Sequence, residues 1–299
     1  MKFRFHASRR PSGPPLGPKR YQFPPDLVDA VDIAIAVGRP LLVLGPPGCG
    51  KSQLAEAIHY QLDLDENSFH RHVITSRTEA DELCWTYDAV ERLRDAQAQV
   101  PRARSAEPYI RPGVLWRALA AEDPPGEPAP RRGGRIPTSV VLIDEIDKAE
   151  PEVPNNLLDV LDQGRFRVTE LDRWVCAHPS AVPFLVITSN QERALSPAFV
   201  RRCVVLRLDL PKEDDLVKIA RAHFGAKDLA LYAAMAREVM RLRAEFAQRN
   251  ELRPGTAEYL DAVQACLELR IRPPAAGAEA DARWARVSEL VLAKPADRR

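Results

Sequence analysis

The octapeptide Gly45-Pro46-Pro47-Gly48-Cys49-Gly50-Lys51-Ser52 constrains this chain more than any other feature, because of what flanks it. Before it stands a short apolar run, Leu41 to Leu44, of the kind that forms a strand buried on both faces. After it Leu54, Ile58 and Leu62 recur every four residues, the stripe of an amphipathic helix. A strand, a glycine-rich turn and a helix in this order match the pattern G-x-x-x-x-G-K-[ST]. Small residues let successive backbone N–H groups converge on one concavity, and the helix N-terminus adds partial positive charge, so the segment suits a polyphosphate. Lys51 then offers a full charge to β- and γ-phosphates, and the Ser52 hydroxyl is a ligand for Mg²⁺.

A second apolar run, Val140 to Ile143, ends in Asp144 and Glu145 about ninety residues later. In a parallel sheet, carboxylates at the carboxyl end of a neighbouring strand arrive beside the same phosphates. Asp144 is then expected to hold Mg²⁺, directly or through water, and Glu145 to orient and deprotonate an attacking water. Phe184 to Ile187 is another buried strand, running into Thr188-Ser189-Asn190, where Asn190 is placed to hydrogen-bond a γ-phosphate or the lytic water.

Further strands are expected at His72 to Ile74 and Cys203 to Leu208, and a helix at Leu27 to Val37. Short buried strands alternating with helices predict an α/β fold, a parallel sheet covered on both sides. After Pro211 the pattern is helical only: Leu231, Met235, Val239, Leu242 and Phe246 follow helical spacing, then Leu260, Val263 and Leu267, with a last amphipathic stretch around Trp284, Val287, Leu290 and Val291. Residues 1–20, basic and proline-rich without an acid, are expected to form a mobile tail. Residues 101–137 hold eight prolines and two arginine clusters and read as a surface excursion, within which Tyr109 to Trp116 suits a short hairpin and helix. The domain reading is therefore a tail over 1–20, a nucleotide-binding unit over 21–210 and a helical unit over 211–299.

In their order along the chain these motifs resemble the AAA+ ATPases. The phosphate loop, the Asp144-Glu145 pair, Asn190, the basic pair in Leu195 to Cys203 and the segment Leu252-Arg253-Pro254-Gly255-Thr256 carry the likeness. Asp144-Glu145-Ile146-Asp147-Lys148-Ala149, followed by Pro154 to Gly164, is most similar to the MoxR-like branch. The resemblance implies a three-layer αβα P-loop core with a C-terminal all-helical lid, and ATP with Mg²⁺ bound between subunits of a homo-oligomeric ring, commonly a hexamer. By position Arg202 corresponds to the arginine finger reaching a neighbour's γ-phosphate, with Arg201 beside it as the alternative, and Arg253 resembles the second sensor on the lid. Loops facing the pore of such rings grip a client; here the candidates are Thr78 to Trp85, Tyr109 to Trp116 and Phe166 to Val175. The implied activity is ATP hydrolysis that remodels or activates a partner protein, a metal-dependent adhesion-domain protein fitting the resemblance. A nucleic-acid-linked motor and a slow nucleotide-gated assembly switch are the rival readings.

Composition narrows these choices. With 43 Lys and Arg against 42 Asp and Glu the net charge is +1, so no whole-molecule field draws the chain to nucleic acid or anionic lipid. No apolar run approaches a membrane span or a secretory signal, and the expected location is the cytoplasm. Five scattered cysteines, an odd number without a C-x-x-C pair, indicate neither a disulfide framework nor a zinc ribbon. His70 and His72 share one strand face without a third ligand nearby and are expected to be structural.

Overall fold

The computed structural model describes residues 20–119, 135–249, 251–274 and 282–293. The tail expected over 1–20 therefore lies, Arg20 apart, outside the described residues. The chain divides into two units, one of Phe23–Leu44 and Leu54–Arg207, the other holding Gly45–Gln53 and the residues from Leu208 onward.

In the first unit five strands, β1 (Leu41–Leu44), β2 (Phe69–Val73), β5 (Ser139–Asp144), β8 (Pro183–Ser189) and β9 (Val204–Arg207), form one sheet in the order β2-β5-β8-β1-β9. Every pairing is parallel. β1 and β5 are buried along their whole length, which accounts for the apolar runs Leu41 to Leu44 and Val140 to Ile143: a sheet covered on both faces leaves no position for a solvent-facing polar residue. Leu42, Leu44, Val141, Ile143, Leu185 and Ile187 face a cluster completed by α4 (Val114–Leu119) and α5 (Glu152–Gln163). Leu41, Val43, Val140, Leu142 and Val186 alternate to the opposite face and are equally buried. α1 (Pro25–Val37) packs against β1 and β9, with Leu27, Val31, Ala34 and Ile35 buried. α2 (Lys51–Gln61) buries Leu54 and Ile58, as the four-residue spacing predicts. This is the αβα architecture expected from the sequence.

Two antiparallel hairpins flank the sheet: β3 (Trp85–Tyr87) with β4 (Ile110–Pro112), and β6 (Arg165–Val168) with β7 (Arg173–Cys176). Within residues 101–137 the helix expected in Tyr109 to Trp116 forms as α4, while the strand before it pairs with the distant β3 and makes no local hairpin. Tyr109, Val114, Leu115, Ala118 and Leu119 are buried, so these residues of the stretch join the core while Pro101, Pro108 and Pro112 stay exposed. Pro112 closes the short edge strand and Gly113 opens the turn into α4, roles that keep proline out of a helix interior. Residues 120–134 lie outside the described residues.

The helices of the second unit are α7 (Glu213–Phe224), α8 (Leu229–Arg249), α9 (Thr256–Glu268) and α10 (Ala282–Val287). Leu231, Met235, Val239, Leu242 and Phe246 line the buried face of α8 and join Leu216, Tyr259, Val263, Cys266 and Trp284 in a separate core. The Tyr259 hydroxyl, buried there, donates to the Tyr232 carbonyl at 3.1 Å. Among the described residues no helix is long and apolar enough to cross a membrane.

Candidate functional site

At the carboxyl edge of the sheet the register brings Asp144 and Thr188 level on neighbouring strands, since Ile143 pairs with Ile187. Leu44, the last residue of β1 and the one directly before Gly45, pairs with Ser189 at this same edge. Asp144 is 5% exposed, and a carboxylate so placed needs partners. The Thr188 hydroxyl donates to its Oδ1 at 2.6 Å, and Arg71 Nη2 meets its Oδ2 at 2.8 Å. The same Thr188 oxygen accepts the Glu145 backbone N–H at 2.9 Å, so one hydroxyl fixes both acidic residues.

Glu145 departs from ordinary backbone. Its φ of 62° and ψ of 46° place a non-glycine residue in the left-handed region, at a cost of about 1–3 kcal/mol. The turn breaks the strand direction, and the side chain meets Asn190, whose Nδ2 lies 3.4 Å from Oε1. Lys148 Nζ is 2.7 Å from the other oxygen, and this hydrogen bond is the main cause of an upward shift of the Lys148 pKa. Asn190 is held in turn by Asp147, 2% exposed, whose two oxygens accept the backbone N–H groups of Asn190 at 3.2 Å and Glu192 at 2.9 Å. A buried hydroxyl with two partners makes a direct prediction. Thr188→Val keeps the shape but removes the bond donated to the Asp144 carboxylate and the one accepted from the Glu145 N–H, a loss of about 1–3 kcal/mol. Thermal or denaturant unfolding should register that loss, and an unchanged midpoint would show that neither bond matters to stability.

The phosphate loop, Gly45 to Ser52, belongs to the second unit. Gly48 and Gly50 have φ of 76° and 95°, which side chains with a Cβ rarely adopt, so glycine suits both positions although the pattern fixes only the second. Lys51 is 6% exposed, and its ammonium donates to the Gly45 and Pro46 carbonyls, each at 2.8 Å. The charge is thus held by the loop's own backbone and not buried among apolar side chains. Cys49 is buried in the loop, and desolvation pushes its thiol pKa up, with the nearby Lys51 charge opposing. Tyr21 lies over the loop, 3.5 Å from where a Cβ on Gly50 would stand, and burial raises its pKa.

The remaining residues named from sequence are more exposed. Arg202 follows α6 (Pro197–Arg201), with Nη1 3.5 Å from Asp159 and Nε 4.0 Å from Asp162 on α5. The Arg201 carbonyl accepts from Arg39 Nη1 at 3.3 Å. Arg253 is exposed in the segment before α9. Of the tryptophans in the client-loop candidates, Trp85 is buried and Trp116 packs edge-to-face on Phe166 at 5.6 Å, whereas Trp174 is 42% exposed under the Arg165 guanidinium.

The sequence profile of the family described as "AAA domain (dynein-related subfamily)" matches residues 40–203, more than half of the chain. The chain belongs to this family. Among curated relatives it is 26% identical over 244 residues to "Gas vesicle ATPase GvpN" of Haloferax mediterranei, covering 76% of this chain and 62% of that protein. It is 27% identical over 301 residues to "Chaperone protein ClpB" of Enterococcus faecalis, covering 90% of this chain and 30% of the other. A further similarity, 28% over 220 residues, is to "Chaperone protein ClpB4, mitochondrial" of Arabidopsis thaliana, covering 70% of this chain and 17% of that one. The chain thus spans about three fifths of the gas vesicle ATPase and less than a third of each chaperone.

In this AAA domain the structure groups Asp144, Glu145 and Asn190 at one sheet edge, and keeps Lys51 and its loop in the second unit. Sequence reasoning passed over Arg71, Asp147, Lys148 and Thr188. One signal for Thr188 was available: a hydroxyl in the buried stretch of a strand must find a partner there. Arg71 stands two residues before the end of β2, paired with Leu142, and nothing in its own neighbourhood marks it as the partner of Asp144.

Proposed function

We propose that this AAA domain protein is an Mg²⁺-dependent ATPase of the MoxR-like branch, whose hydrolysis cycle remodels or activates a partner protein. The observation that carries the reading is the side-chain cluster at the carboxyl edge, where Thr188 joins Asp144 to Glu145 and Glu145 meets Asn190. It supports a hydrolytic centre more than a passive turn, because a buried carboxylate and a strained glutamate are both costly to hold in place.

In this reading Gly45 to Ser52 binds the triphosphate through its backbone N–H groups, and Lys51 exchanges the Gly45 and Pro46 carbonyls for phosphate oxygens. Mg²⁺ takes hard oxygen ligands and keeps several waters, and in this reading the Ser52 hydroxyl and the Asp144 carboxylate are the side chains that would hold it. Bound with the triphosphate, the metal supplies neutralisation of charge developing on the phosphoryl oxygens. Glu145 accepts the proton of the attacking water at its carboxylate, and Asn190 orients that water. Lys148 must give up its contact with Glu145 for this to happen, since an ammonium at 2.7 Å disfavours proton uptake. Arg202 acts on the neighbouring subunit's nucleotide in a homo-oligomeric ring, with Arg201 as the alternative finger, and Arg253 reports nucleotide state through the helical unit. A protein client is favoured by the chaperone relatives, and the exposed Trp174 with Arg165 on the β6–β7 hairpin is a contact for it.

Lys51→Ala should abolish nucleotide binding in an equilibrium titration with a fluorescent ATP analogue, because it removes the full charge aimed at the β/γ-phosphates. Affinity similar to that of the unaltered protein would overturn the assignment of the loop. Affinity capture with an ATP-loaded Glu145→Gln variant then identifies the partner: an adhesion-domain protein supports remodelling, whereas a nucleic acid favours the motor. Turnover measured beside particle mass, with and without ATP, separates either from a slow assembly switch.

A further inference from the structure

Arg243 is the buried charge of the second unit that the ATPase reading leaves unused. It lies on the inner face of α8, 7% exposed. Its Nε donates to the Pro254 carbonyl at 2.8 Å and its Nη1 to the Pro211 carbonyl at 2.5 Å, and Nη2 has no hydrogen-bond partner among the described residues. Burial, with the Arg253 charge adding to it and Glu258 opposing, lowers its pKa to about 10, which still leaves it charged at neutral pH. Taking a guanidinium out of water is costly, and neither helix needs it as a cap: the start of α9 is already served by Glu258, whose carboxylate accepts the Gly255 N–H at 3.1 Å. What Arg243 does is tie two distant chain segments together, the entry to α7 and the turn before α9.

That turn in turn grips the phosphate loop. The Thr256 N–H donates to the Gly48 carbonyl at 2.8 Å. The backbones of Gly48 and Gly255 are so close that a Cβ on Gly255 would stand 2.7 Å from Gly48 Cα and 2.9 Å from its oxygen. Both glycines are required by this approach, and Gly48 also by its positive φ. The contacts run from the guanidinium through Pro254 and Gly255 to Gly48. We propose that Arg243 is a positioning residue for nucleotide binding, setting the phosphate loop through the Gly255–Gly48 contact without touching the nucleotide. This deepens the ATPase reading and rests on it.

The test compares Arg243→Met, Arg243→Lys, Gly255→Ala and Lys51→Ala in equilibrium titrations with a fluorescent ATP analogue, alongside steady-state hydrolysis. Arg243→Met should weaken binding about tenfold, since small misplacements of a binding group are expensive. Arg243→Lys, which can serve one carbonyl but not fork between two, should fall between Met and the unaltered protein. Gly255→Ala should match or exceed the loss, and adding Arg243→Met to it should cost nothing more, because the two changes break one path. The ATP KM should rise with kcat held within about twofold, a split that mere destabilisation of the helices does not produce. Should Arg243→Met fail to fold, the Lys and Gly255→Ala variants decide. Binding at unaltered affinity in folded Arg243 variants, with Lys51→Ala inactive, overturns this inference and spares the ATPase reading. An unaltered protein that binds no ATP overturns both.

Discussion

With Glu145 replaced by glutamine, ATP should remain bound while phosphate release falls by about 10²–10⁴-fold, the usual contribution of a positioned general base. The substitution is close to isosteric. An amide oxygen can still receive Asn190 Nδ2, and the backbone bond from the Glu145 N–H to Thr188 is untouched. The side chain loses only the ability to take a proton and the charge that attracts Lys148. That ion pair is partly exposed, so its removal should change stability by less than about 1 kcal/mol, and the melting temperature serves as the control. The decisive measurement is binding and single-turnover hydrolysis on the same preparation. Turnover at the unaltered rate would remove Glu145 from the chemistry, and loss of binding would mean that the carboxylate supports the nucleotide and not the water.

Much of this site was legible in the sequence because its parts are local. The spacing of Gly45, Gly50 and Lys51 between an apolar run and a helical stripe reports a strand–turn–helix without any long-range information, and the positive φ of Gly50 agrees with it. The sheet was legible for a similar reason, since unbroken apolar runs such as Val140 to Ile143 can only be buried on both faces. What stayed hidden depends on pairing across the sheet. Arg71 reaches Asp144 from 73 positions away, and Thr188 does so from 44, through a register that no local pattern encodes. Asp147 was visible as a letter in the acidic segment, but its role as acceptor for the backbone of the Asn190 turn exists only once β5 and β8 lie side by side. Within the 101–137 stretch the helix expected after Tyr109 was legible from its apolar residues and forms as α4, whereas the pairing of β4 with the distant β3 was not.

Arg202→Ala should leave ATP affinity within about twofold and lower turnover by about 10³-fold or more, the range over which an arginine finger acts. In its own subunit Arg202 is half-exposed and held loosely by Asp159 and Asp162, at 3.5 and 4.0 Å. Exposed pairs of this length contribute at most about 1 kcal/mol, so the guanidinium can leave them for a stronger, bidentate partner such as a phosphate. Arg201→Ala is the comparison, because Arg201 precedes it in the last turn of α6 and its carbonyl is engaged by Arg39. A mixing experiment adds the evidence that a single variant cannot. Arg202→Ala subunits keep Glu145, and Glu145→Gln subunits keep Arg202, so an interface between one of each restores a complete site if the arginine serves its neighbour. Recovery of turnover on mixing two inactive preparations is therefore the expected result. No recovery, with both variants shown to assemble together, would confine Arg202 to its own subunit, and full turnover by Arg202→Ala alone would pass the role to Arg201 or remove it from this protein.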